Sequence, residues 1–202
     1  NTWTWEQNAK KPILRKSQSN VIDAFHPTLG QRCLYCENPK TLLFTENETN
    51  YEQLFGIKNN YPYVKDGIND CIVNNKTEAV NPEQIGTKAA AAYELTIGAG
   101  ETQILRLRLT DNAELLEPFG TDFGGIFHQR KQETDEFYQR ISPGNLPEDE
   151  RNVQRQAFAG LLWTKQYYHY VVEDWLNGDP NQPPPERQYQ RNEEWMHLYN
   201  DD

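Results

Sequence analysis

No apolar run in this chain approaches the roughly 20 residues that a helix needs to cross a bilayer, so no membrane-spanning helix is expected. The first residues lack the basic, apolar and small-residue series of a secretory leader. Cysteine is scarce. Cys33, Cys36 and Cys71 are too few for a disulfide framework, and a single CxxC pair, Cys33–Cys36, is half of a zinc site. That pair falls in a strand-like run, where residues three apart point to opposite faces. The thiols are read as ordinary reduced cysteines, and the expected compartment is the cytoplasm. Positive charge is also short in the second half. Residues 1–110 balance 12 basic against 12 acidic side chains, whereas residues 111–202 hold 8 against 18. An acidic half repels phosphate backbones, which argues against nucleic acid as a partner. Apolar residues make up only 36% of the 202, and mean hydropathy is -0.92. Aromatics, at 12%, offset this thinness, because each buried ring removes a large area from water.

Several chemistries lack their signatures. His169 and His197 are not at metal-ligand spacing with another His or Cys, and His26 and His128 stand alone, so no metal site and no cofactor are expected. Gly120 and Gly124-Gly125 are not followed by the Lys-Ser/Thr of a phosphate loop, and no Ser sits in a Gly-x-Ser-x-Gly frame. Asn47-Glu48-Thr49 and Asn75-Lys76-Thr77 match the glycosylation acceptor pattern and, with no secretory signal visible in these residues, are read as chance matches.

The residues that are present fall into two halves. Strands are predicted at Thr2–Trp5, Val21–Phe25, Arg32–Tyr35 and Thr41–Phe44, punctuated by Pro27, Gly30 and Asn38-Pro39. A hairpin is predicted from Ala91–Ile97 and Gln103–Leu109, two period-2 runs around Gly98-Ala99-Gly100, with Tyr93, Leu95, Leu105 and Leu107 facing the core. Between them, Val64, Ile68 and Ile72 recur at helical spacing and give Lys65–Asn74 as a short helix or turn. Beyond Thr110 the pattern becomes helical. Asp122 is the expected N-cap of a helix to about Arg140, with Phe123, Ile126, Phe127, Phe137 and Ile141 on one face. A second helix opens at Pro147-Glu148-Asp149-Glu150, with acids at its positive end, and is predicted to run to about Leu176. Its stripe is Val153, Ala157, Leu161, Tyr168, Val171 and Trp175, flanked by Trp163, Tyr167 and Tyr170; Asn177-Gly178 stops it, and Pro183-Pro184-Pro185 forms a stiff connector. Strands first and helices after give an α+β class, not a parallel sheet.

The second half interleaves aromatics, carboxylates and amides, above all in Trp163–Tyr170 and Asn192–Asp202. That density suits the flat faces and hydroxyls of a sugar. Trp195 can stack on a sugar ring and donate one hydrogen bond; Tyr199, Asn200 and Trp163 are the other candidate substrate-binding residues. The same aromatics equally suit packing at a domain boundary or on a buried helix face.

Several segments in order carry a resemblance: Lys65-Asp66-Gly67-Ile68-Asn69-Asp70, Ala79-Val80-Asn81-Pro82, Gly86-Thr87-Lys88-Ala89-Ala90-Ala91, and Leu105-Arg106-Leu107-Arg108-Leu109. Arg155–Gln166 and Arg191–Asn200 extend it over nearly the whole chain. Together they resemble bacterial glucosidase-like proteins related to glycoside hydrolase family 63, the mannosyl-oligosaccharide glucosidases. The resemblance implies an antiparallel β-sandwich followed by long helices that begin an (α/α)6 barrel. Residues 1–110 would be the later part of the sandwich, 111–148 a helical linker, and 149–202 the first barrel helix and the loop after it. It also implies inverting hydrolysis of terminal α-linked sugars by a carboxylic acid and a carboxylate, spaced to admit water. Neither has a counterpart here. Asp201 and Asp202 are adjacent and poorly placed to flank one glycosidic bond, so no catalytic residue is assigned and the chain alone is expected to be inactive.

The chain opens without Met in a strand-like run and closes inside a polar-aromatic one, which reads as an internal piece of a larger protein. The expected partners are carbohydrate and the remaining barrel, with self-association through an uncovered helix face and no membrane contact. A reading from another class stays open: a stand-alone carbohydrate- or protein-binding β-sandwich module with a helical docking arm. The reading frame beyond Asp202 discriminates the two.

Overall fold

A computed structural model describes residues 10–142, 144, 146–165, 170–178 and 192–200. The expected strand Thr2–Trp5, the connector Pro183–Pro185, the aromatics Tyr167 and Tyr168, and Asp201–Asp202 lie outside the described residues. The chain forms two compact units, residues 1–119 and 120–202. Its class is α+β with antiparallel sheets.

The first unit is built on strands β1 (Ile13–Gln18), β2 (Val21–His26), β3 (Gly30–Cys36) and β4 (Thr41–Thr45). Helices α1 (Tyr51–Phe55) and α2 (Gly67–Asn74) follow, then β5 (Ile85–Gly86), β6 (Lys88–Ala92) and β7 (Leu107–Thr110). One antiparallel sheet has the order β5-β1-β2-β3-β7, and β4 pairs with β6 in a second. Ile22 and Cys36 of the first sheet meet Leu42 and Phe44 of the second, with Leu14, Leu34, Ala89 and Ala91 around them. Alternation makes this possible: Leu42 and Phe44 share a face of β4, and Ala89 and Ala91 stand opposite them on β6. The other face of the larger sheet holds Val21, Cys33 and Tyr35 beneath Leu115 and Phe119. The Tyr35 hydroxyl fastens that cover, donating to the Asn112 carbonyl at 3.1 Å and accepting from the Leu115 amide at 3.2 Å.

The strands expected at Val21–Phe25, Arg32–Tyr35 and Thr41–Phe44 are present as β2, β3 and β4, and Gly67–Asn74 is the expected short helix. β1 has no counterpart among the expected strands, since Arg15, Lys16 and Ser17 dilute its apolar signal. The hairpin of Ala91–Ile97 with Gln103–Leu109 does not form. A turn closes from the Glu101 amide to the Gly98 carbonyl, but its arms part: β6 goes to β4 and β7 goes to β3. Leu95, Leu105 and Leu107 are exposed rather than core, Tyr93 is half-buried, and Arg108 turns inward to donate to the Pro118 carbonyl at 3.2 Å. Alternation sets which residues share a face, but existing ladders on β4 and β3 decide the pairing.

The second unit contains α3 (Thr121–Ile141) and α4 (Glu148–Thr164), then β8 (Tyr170–Val171), α5 (Val172–Asn177) and β9 (Tyr199–Asn200), with β8 and β9 antiparallel. The N-cap of α3 is Gly120, not Asp122, which lies in the first turn where its charge complements the dipole. The helix predicted to continue to Leu176 ends instead at Thr164, whose hydroxyl turns back to the Gly160 carbonyl at 2.9 Å. The run after it is dense in Tyr and Val, residues that favour extended chain. Tyr170 and Val171 accordingly pair with Asn200 and Tyr199, and Trp163–Tyr170 is not one helix. Gly178, with φ 75°, ends α5 as the sequence leads one to expect.

Candidate functional site

Three of the four candidate sugar-contacting residues lie on one short segment. Asn192, at φ 67° in the left-handed region that asparagine tolerates, starts a 3-10 turn over Glu193–Trp195. The Trp195 amide donates to the Asn192 carbonyl at 2.9 Å and the Leu198 amide to the Trp195 carbonyl at 2.8 Å. The coiled segment is then tied to α5, where the Val172 amide donates to the Leu198 carbonyl at 3.1 Å. Buried Val171 and Val172 anchor that junction. Its polar fastenings are Asn192 Nδ2 to the Tyr170 hydroxyl, 3.0 Å, and the Tyr199 hydroxyl donating to the Glu173 carboxylate.

Trp195 and Tyr199 remain 53% and 57% exposed, so both can meet a ligand. The Trp195 ring lies nearly parallel to His197, at 22° and a centroid separation of 6.5 Å. Asn200 is exposed on β9 beside Tyr199. Trp163 lies on α4, next to its last residue, and is 81% exposed. An indole face, a phenol and an amide on one short segment can take up a hydroxyl-rich ligand. Glu173 and Asn192, which hold this segment in shape, carry no signal in the sequence beyond the polarity of their neighbourhood.

The resembling segments of the first half lead to a different place. Asp66, Gly67 and Asp70 border a cleft of about 520 Å³ shared with Asn50, Asn59 and Lys76. Asn50 is its organiser. Its oxygen accepts from the Gln53 amide and from Asn59 Nδ2, and its Nδ2 donates to Asp66 Oδ2 at 2.9 Å. Asp70 accepts from Asn74 and from Lys76, and Lys76 first, then Asn74, hold its carboxyl below the usual range. Most of these polar groups bond to one another, but Asp66 Oδ1 is buried without a hydrogen-bond partner.

The other residues of those segments brace the loop after β4. A Cβ on Gly67 would meet the Ala79 carbonyl oxygen at 2.2 Å, and one on Gly86 would meet that of Thr45 at 2.2 Å. The Asn81 amide donates to the Phe44 carbonyl at 2.8 Å, Thr87 Oγ1 to Glu46 at 2.9 Å, and Lys88 Nζ to the Lys65 carbonyl at 2.7 Å. Glu48, only 2% exposed, accepts from Lys11 Nζ at 3.2 Å, and Lys11 also donates to the Tyr61 hydroxyl at 2.7 Å. Partial burial opposes the Lys11 charge, but the bonds to Tyr61 and Glu48 and the charges of Glu48 and Glu46 outweigh it and raise its pKa. This segment pattern therefore encodes close packing and a polar brace.

Among the described residues no group of three or more His, Cys, Asp or Glu side chains could hold a metal ion. No helix among them is long and apolar enough to cross a membrane.

No family model matches the chain, and no solved structure does. The chain is 37% identical over 241 aligned residues to an uncharacterized protein of Saccharomyces cerevisiae. The alignment takes in all of this chain and 22% of the yeast protein, so the chain spans less than a quarter of that relative's length.

Proposed function

We propose that this chain is a non-catalytic segment of an inverting α-glycosidase related to glycoside hydrolase family 63, with its own contact to the carbohydrate. The observation that carries this reading is the exposed Trp195–Tyr199–Asn200 segment, fastened to α5 through Val172 and Glu173 and to β8 through Tyr170. The two sheets of the first unit, joined by the Ile22, Leu42 and Phe44 core, are the later part of a β-sandwich. The helices of the second unit open an (α/α)6 barrel. Support for that comes from α4, which buries no residue and leaves Val153, Leu161, Leu162 and Trp163 exposed, as a helix awaiting neighbours would. In the isolated chain this side serves for self-association, and Trp163→Ser raises solubility.

The test is kinetic and uses the full reading frame. With an aryl α-glucoside, Trp195→Ala is expected to raise KM about tenfold, equivalent to about 1.4 kcal/mol, with kcat little changed. The 202-residue chain alone is expected to show no hydrolysis, because both reacting carboxyls lie outside it. Unchanged KM, or activity of the isolated chain that vanishes with Asp201→Asn or Asp202→Asn, overturns the proposal. A reading frame that stops at Asp202, with glucoside binding by the isolated chain, puts the stand-alone binding module in its place.

A further inference from the structure

The stretch between β6 and β7 reads in sequence as two alternating apolar strands, yet most of it joins no ladder. Leu95, Ile97, Ile104 and Leu105 are exposed, and Leu107 and Leu109 on β7 are 51% and 66% exposed. The register fixes where the last two belong. Leu109 stands opposite Leu34, and Leu107 opposite Cys36, so they share the face that Leu34 and Cys36 present to the core between the two sheets. The smaller sheet consists of β4 and β6 and packs near β1. The face therefore continues past its cover, from a closed core onto bare leucines. β7 is also the terminal strand of its sheet among the described residues, so it presents a sheet edge beside them.

We propose that the β7 edge and its apolar face are the seat of a further β segment of the same polypeptide, from outside residues 1–202. Two observations select this occupant. The apolar face is continuous with an intramolecular core, which a passing partner would not need to complete. The yeast relative matches this whole chain with only 22% of its length, leaving ample polypeptide for such a segment. The inference concerns the first unit and does not depend on carbohydrate binding at Trp195.

Cysteine accessibility tests it. In a Cys71→Ser background, Leu109→Cys and Ile104→Cys report on the seat, and Leu116→Cys, at a position 97% exposed, serves as control. Each is placed in the isolated chain and in the full-length polypeptide and labelled with a maleimide. In the isolated chain the seat positions should label nearly as fast as the control. In the full-length protein they should slow by more than about tenfold, while the control is unchanged. Equal rates in the two contexts overturn the proposal, as does a reading frame that adds no residues. Protection that appears in the isolated chain and grows with its concentration assigns the seat to a second copy instead. Protection there at every concentration shows that the chain covers its own face. Two independent probe positions guard against one substitution that disturbs folding.

Discussion

Cys33 and Cys36 lie on one strand and are buried on opposite faces of the larger sheet. Cys33 packs with Val21 and Tyr35, while Cys36 packs with Ile22, Leu42 and Phe44. Three residues along a strand invert the side-chain direction, so this CxxC pair cannot meet in a disulfide or on one metal. Burial raises both thiols above their ordinary pKa, and at Cys33 the neighbouring Asp23 adds to the effect. Titration with a disulfide reagent at pH 8 should find Cys71 reacting first, and Cys33 and Cys36 only when the chain is denatured. Fast reaction of all three thiols in the native protein would contradict the burial described.

Lys11 should make alkaline stability depend on one residue. Its folded pKa is raised above the unfolded value of about 10.4, so its contribution is complete below that pH and is lost as pH rises through the folded value. Lys11→Met leaves Glu48 with one charged partner fewer. After discounting for the third of the Lys11 side chain that remains exposed, the expected loss is about 1–2 kcal/mol at pH 7. Urea melts of both proteins at pH 7 and pH 11 check the sign: the gap between them should narrow at the higher pH.

Gly86→Ala should be costly for a reason unrelated to backbone freedom. The added methyl would stand 2.2 Å from the Thr45 carbonyl oxygen, where the end of β4 and β5 approach. Relief requires a backbone shift, with a cost of about 1–3 kcal/mol. Gly124→Ala is the control. It lies inside α3 with nothing within 4 Å of the new methyl, and it should gain about 0.5–1 kcal/mol from helix propensity.

The α3–α4 pairing through Arg155 should contribute little. Its Nη1 lies 2.5 Å from Asp135 Oδ1, and its guanidinium carbon lies 5.0 Å from the centre of the Tyr138 ring. Both charged side chains are substantially exposed. A double-mutant cycle of Asp135→Ala and Arg155→Ala should give a coupling of about 0.2–1 kcal/mol, smaller still in 1 M salt.

Local chemistry makes much of this protein legible in advance. Alternating apolar residues place β2, β3 and β4, and the 64, 68, 72 spacing places α2. The acidic opening of α4 and the glycine that ends α5 are equally plain. Of the sugar-contacting candidates, Trp195, Tyr199 and Asn200 are close in sequence, so their grouping needs little tertiary information. The polar cleft is hidden, because Asn50 and Asp66 are 16 residues apart and each is an ordinary polar residue by itself.

Sequence by itself determined which residues favour helix or extended chain, and which side of each strand is apolar. Those preferences are local: capping groups, side-chain period and charge near helix ends act within a turn or two. Tertiary structure decided partnership. It sent β6 to β4 and β7 to β3, although the two arms match each other in pattern. It also took Tyr170 and Val171 out of the predicted helix and into a ladder with Tyr199 and Asn200. A strand's alternation satisfies many partners equally. The choice among them rests on which core closes and which backbone groups find donors and acceptors, and only the folded chain brings those together.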